Sequence, residues 1–159
     1  MRNLVLFTFI SLLISSPIAQ ALLVKQMTLR QVTHSSERIF RGTVLDSSLE
    51  NDAEESGRIV RYFTFRVDEC LKGACGSKIT FKQWAGGERL PEYDVGKDYL
   101  IFLPEESRRT GLVAPVGIMQ GVYPLTRSQG RFLIRNGTVP DQDYESLKTE
   151  VLQYVREGK

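Results

Sequence analysis

Ile59-Val60-Arg61-Tyr62-Phe63-Thr64-Phe65-Arg66-Val67-Asp68-Glu69-Cys70-Leu71 alternates well along its length, with Phe63, Phe65, Val67 and Leu71 on one side. Tyr62, Thr64, Arg66, Asp68 and Cys70 fall on the other, and a period of two marks a strand with one buried face. Leu71-Lys72-Gly73-Ala74-Cys75-Gly76 then turns the chain, and Lys78-Ile79-Thr80-Phe81-Lys82 resumes the alternation. The reading is a β-hairpin with both cysteines at its turn. Cys70 and Cys75 are the only two cysteines, and an even, closely spaced pair is most simply a local disulfide. Such a small ring stabilises by roughly 2 kcal/mol on the chain-entropy account. A redox or metal role for the pair lacks a Cys-x-x-Cys spacing and further ligands. Because Cys70 falls on the non-core side, the bridge is expected to be superficial.

On the N-terminal side, Thr28 with Gln31 forms a capping box and Met27 with Val32 a hydrophobic staple, which predict a short helix ending near Ser35 or Ser36. Ile39 to Leu45 has strand composition, with Gly42 permitting a bend or a close backbone approach. The run from Asp46 to Gly57 is acidic, polar and without periodicity, and reads as a mobile loop. On the C-terminal side a Gly-rich, charged loop from Ala85 to Gly96 precedes Tyr99-Leu100-Ile101-Phe102-Leu103, an apolar run expected of a strand buried on both sides. Leu112 to Leu125 reads as an irregular, bulged strand, and Arg131 to Ile134 as a last short strand entered through Ser128-Gln129-Gly130. Asp141 or Asp143 caps a final helix whose Tyr144, Leu147, Val151 and Tyr154 make one apolar stripe. The fold expected is mainly β, a small five- to six-stranded closed or partly open barrel with a short N-terminal helix and a C-terminal helix.

Residues 1–21 read as a secretory signal peptide: Arg2 is the positive start, Leu4 to Ile14 the apolar core, and Ala19-Gln20-Ala21 the cleavage site. Residues 22–159 would then form a single domain of ordinary size, secreted or periplasmic, beginning at Leu22. The apolar core is shorter than a membrane span requires, so no span is expected after cleavage. Beyond Arg2 the chain holds 20 basic and 19 acidic residues, a balance that gives no reason to expect nucleic acid or an anionic membrane as partner. His34 is the one histidine, which argues against common zinc sites and most histidine-based catalysis. It reads as a solvated residue near a helix end. Adjacent carboxylates such as Asp68 with Glu69, Glu54 with Glu55 and Glu105 with Glu106 read as solvated surface, and Gly86-Gly87, Gly117 and Gly121 match no phosphate-binding fingerprint. No catalytic residue, metal ligand or cofactor is expected. Asn136-Gly137-Thr138 fits an N-glycosylation acceptor in a eukaryotic secretory pathway.

The order of pieces carries a resemblance: Ile39 to Val44 with its embedded Arg41, the aromatic strand Tyr62 to Gly73 closing on Leu71-Lys72-Gly73, and Gly96-Lys97-Asp98-Tyr99-Leu100-Ile101. This set resembles the OB-fold domain of tissue inhibitors of metalloproteinases and netrin-like modules, over roughly Glu37 to Tyr123. The closer likeness is to small secreted bacterial proteins with this pattern. The resemblance implies an OB barrel. In the animal inhibitors a terminal cysteine, held by disulfides, chelates the protease zinc; this chain would start Leu22-Leu23-Val24 and lacks that cysteine.

The function expected is non-catalytic binding of another secreted protein, a protease among the candidates, or of a small ligand. The expected contact surface is the Trp84 to Tyr93 loop with the disulfide hairpin, in which Trp84, Arg89 and Tyr93 supply exposed residues of the kind that dominate interfaces. An alternative is inhibition of an extracellular metalloprotease, or service as its accessory factor, with Leu22 to Gln26 or the same loop entering the cleft. A further alternative is nucleic-acid or polysaccharide binding, with Tyr62, Trp84 and Tyr93 as stacking platforms beside Arg61, Arg66, Lys78 and Lys82.

Overall fold

The computed structural model describes residues 25–53, 57–86, 90–134 and 142–158. The expected signal segment, Leu22, Arg89 and Asn136 lie outside the described residues. The element order is α1 (Leu29–His34), β1 (Arg38–Asp52), β2 (Arg58–Lys72), β3 (Lys78–Trp84), β4 (Asp98–Leu103), a 3-10 turn (Ile118–Gly121), β5 (Val122–Ser128), β6 (Arg131–Ile134), β7 (Gln142–Asp143) and α2 (Tyr144–Glu157). The strands form one antiparallel sheet in the order β3-β2-β1-β4-β5-β6-β7.

The mainly β fold with a helix on either side of the strands is therefore as the sequence implies, but the described residues hold seven strands rather than five or six. The hydrogen-bonded sheet ends at β3 and β7 instead of closing on itself. One link spans part of the opening: Lys82 bridges Leu112 in parallel, and the Val113 N–H donates to the Lys82 carbonyl at 3.0 Å.

β1 and β4 explain why Tyr99 to Leu103 is continuously apolar. Tyr99, Ile101 and Leu103 enter a core with Phe40, Val44, Phe63, Phe65, Ile79 and Phe81. Leu100 and Phe102 enter a second core with Ile39, Val32, Tyr144, Leu147 and Val151, so the helices cover the opposite face. β1 changes register against β2 at three places, one of them between Arg41 and Gly42. There the backbones approach so closely that a Cβ on Gly42 would lie 2.3 Å from the Arg66 carbonyl oxygen, which requires glycine.

Two expectations for loops and strands are corrected. Asp46 to Asp52 is not a loop but the distal half of β1, paired residue for residue with Arg58 to Thr64. Between Leu112 and Leu125 the continuous bulged strand gives way to an isolated bridge and a 3-10 turn, and a strand starts only at Val122. Left-handed backbone at Gly117 and Ile118, both with φ 61°, breaks the extended run.

The termini of the helices follow their caps. Thr28 and Gln31 form the reciprocal box on α1, and the Asp143 carboxylate accepts from the Ser146 N–H at α2. Tyr144, Leu147 and Val151 are buried as the stripe requires, whereas Tyr154 is half-buried and stacks against Arg30. None of the described helices is long and apolar enough to cross a membrane.

Candidate docking surface

The hairpin of β2 and β3 carries the Cys70–Cys75 disulfide at its turn. Cys70 is exposed but Cys75 is buried against the aromatic core, so the bridge is only half superficial. Gly73, at φ +76°, lets the turn pack on the Glu37 carbonyl, where a Cβ would come within 2.3 Å. Beside it the Lys72 ammonium donates to the carbonyls of Thr33 and His34, which end α1, and of Ser36 just beyond it. The disulfide hairpin is thus built into the scaffold, and His34 ends α1 exposed, as expected.

Tyr93 is not an exposed contact residue. It is 4% exposed and lies edge-on to Phe63, Phe65, Phe81 and Tyr99, with centroids 4.7 to 5.9 Å away. The Gln83 amide donates to its hydroxyl at 3.4 Å, and burial pushes the phenol pKa up. Tyr93 anchors the loop that Trp84 begins; it does not present it. Lys82 also departs from the outward placement expected of it, because it is buried and its ammonium pairs with Asp52 at 2.8 Å. The stacking platform with basic neighbours is therefore not assembled: of its aromatics Tyr93 is core, Tyr62 is half-buried and Trp84 alone is exposed.

Trp84 does stand at the surface, 41% exposed, with the Arg58 guanidinium 4.7 Å above its ring. It lies beside Val60, on one face of the sheet. On the other face Leu49 and Ile59 are 56% and 60% exposed, and their partners Arg61 and Asn51 make them diagonal neighbours. The distal end of the β1, β2 and β3 meander thus shows large apolar side chains on both faces. Composition alone hid Leu49 and Ile59, because each is an ordinary strand residue and only the length of the hairpin carries them beyond the core.

A second polar region lies on the sheet near α2. The Arg41 guanidinium stacks on Phe132 and Tyr144 at 4.8 and 5.6 Å, and Arg127 also covers Phe132 at 5.0 Å. Asp68 accepts from Arg66 at 2.8 Å and Thr43 at 3.1 Å. Burial alone would raise the Asp68 pKa, but these hydrogen bonds and the nearby Arg66 and Arg41 charges hold it below the usual carboxylate value. This network ties strands and helix together. Among the described residues no group of three or more His, Cys, Asp or Glu is arranged to hold a metal ion. Set against known proteins, the chain matches no family model and no curated sequence.

Proposed function

We propose that this chain is an exported, non-catalytic binding module with a partly open, OB-like barrel, which docks on another protein through the distal end of the β1, β2 and β3 meander. The observation that carries the reading is the exposure of Trp84, Leu49 and Ile59 together at one end of the sheet, with Arg58 stacked on the indole. Isolated exposed apolar residues are ordinary, but here a Trp with a stacked Arg stands on one face of the strand ends and two adjoining aliphatic side chains on the other, so a partner that clasps this end meets residues of the anchor type on both sides. The Lys82 to Leu112 bridge and the shared β1 strand support the barrel-like reading. The disulfide and the apolar segment at Leu4 to Ile14 support export.

The test is capture of a partner from the native secreted fraction by the tagged mature chain. A Trp84→Ser, Ile59→Ser double variant that folds normally should lose about tenfold or more in affinity, as expected for interface anchors. Equal capture by both proteins would remove this surface from consideration.

A second reading, protease inhibition through the N-terminal segment, is favoured by one contact. The Gln120 side chain accepts from the Met27 N–H at 2.7 Å and donates to the Lys25 carbonyl at 3.1 Å. This tether fixes where the chain ahead of Lys25 leaves the fold, which reduces the entropy cost of binding through that segment. If the reading is right, the mature chain inhibits a secreted zinc protease and an extension ahead of Leu22 abolishes the effect. Inhibition that survives such an extension would count against the terminus as the wedge.

A further inference from the structure

Resting on that docking reading, we infer that the distal half of β1 is a strand-addition site for an extended segment of another protein in which basic and apolar residues alternate. β1 pairs with β4 only as far as Thr43, and Val44 exchanges its last hydrogen bonds with Lys97 and Gly96 at 3.0 and 2.8 Å. From Asp46 to Asp52 its one strand partner among the described residues is β2. The Ala85 N–H donates to the Ile59 carbonyl at 3.0 Å, so Ile59 turns its backbone groups toward β3. Asn51, opposite Ile59, therefore turns its own away from β2, and the two-residue alternation does the same for Leu49 and Ser47. Among the described residues no strand meets these three N–H and three carbonyl groups. They form the open edge that a seven-residue strand would pair with.

The side chains choose the occupant. Ser47, Leu49 and Asn51 share a face with exposed Ile59, which calls for apolar residues in the added strand. Asp46 and Glu50 stand exposed on the other face and, among the described residues, form no ion pair, which calls for Lys or Arg there. Charge disfavours a second copy of this chain. Antiparallel self-pairing centred on Leu49 would set Asp46 opposite Asp52, and centred on Ser48 it would set Asp46 opposite Glu50; like charges directly opposite are destabilising.

The experiment uses the mature protein and three synthetic octapeptides: alternating Lys-Val, the same peptide N-methylated at every second amide, and alternating Glu-Val. The Lys-Val peptide should slow amide hydrogen exchange at Ser47, Leu49 and Asn51 by about tenfold or more, with both other peptides at least tenfold weaker. Asp46→Lys with Glu50→Lys should reverse the preference between Lys-Val and Glu-Val. Leu49→Pro should abolish binding while leaving the fold intact, because the lost N–H faces no strand. Absence of Lys-Val binding, or binding indifferent to N-methylation and to Leu49→Pro, overturns the proposal. Concentration-dependent protection of the same amides without peptide also overturns it, in favour of self-pairing. If Leu49→Pro leaves partner capture intact while Trp84→Ser with Ile59→Ser loses it, docking stands and strand addition falls. If neither variant alters capture, the docking reading itself falls.

Discussion

Glu69 is the residue on which α2 is fastened to the sheet. The Tyr144 hydroxyl donates to it at 2.8 Å, the Lys148 ammonium at 3.0 Å, and Arg41 stands 3.6 Å away. Burial alone would raise its pKa, yet the Tyr144 and Lys148 hydrogen bonds and the Lys148 and Arg41 charges lower it below the ordinary carboxylate value, as with Asp68. Both groups bind protons less readily folded than unfolded, so their stabilisation is fully present above the unfolded value near ~4 and fades as pH falls through the folded one. Solvent screening keeps each contribution modest, since both side chains remain partly exposed. The thermal midpoint should fall between about pH 5 and pH 3, and Asp68→Asn with Glu69→Gln should flatten that fall. Circular dichroism melts across the range check this, and an unchanged slope in the double variant would refute it. None of this was legible in the sequence, where Asp68 and Glu69 read as adjacent surface charges. Simple alternation would send such neighbours to opposite faces, but the register shift between Arg41 and Gly42 leaves Asp68 without an opposite residue, and both carboxylates reach the Arg41 guanidinium at 3.6 Å.

At the scale of elements, alternation was a reliable guide where one face meets a core and a poor one where neither does. β2 was readable because Phe63 and Phe65 are buried while Tyr62, Thr64 and Arg66 are not. The distal part of β1 was misread as a loop because both its faces meet solvent, leaving Ser47 to Asp52 no apolar period to show. Pairing with β2 holds it extended, and that is information no single strand contains. Tyr93 failed for the converse reason: a Tyr in a charged loop reads as exposed, whereas here it fills a socket between four rings. The disulfide hairpin yields a prediction at this scale. Its two cysteines should not be equivalent, because removing the cross-link costs about 2 kcal/mol either way, while Cys75→Ser also places a hydroxyl in the aromatic core. Urea denaturation should find Cys75→Ser less stable than Cys70→Ser by about 1 kcal/mol or more, a gap that should persist under reducing conditions. Equal midpoints would show that the Cys75 side contributes only the covalent link.

Over the whole molecule, two cores share the central strands β1 and β4, one aromatic and inside the curved sheet, the other under the helices. The general class was readable from the order of apolar segments, and the fully apolar β4 announced a strand with no solvent face. The number of strands was not readable, because β7 is two residues long and is recognised only by its partners Leu133 and Ile134. Sharing β1 between neighbours so unequally distant along the chain also orders events in time. The turn between Asp52 and Arg58 brings β2 to β1 locally, whereas the nearest β4 partners, Thr43 and Asp98, are 55 residues apart. Closing the longer loop costs roughly 2 kcal/mol more entropy than closing the short one. On loop-closure entropy alone the β1–β2 ribbon should form first, leaving the far side of β1 exposed until β4 covers its proximal half. The open edge along Asp46 to Asp52 would then be what is left of a longer edge that β4 covers only in part.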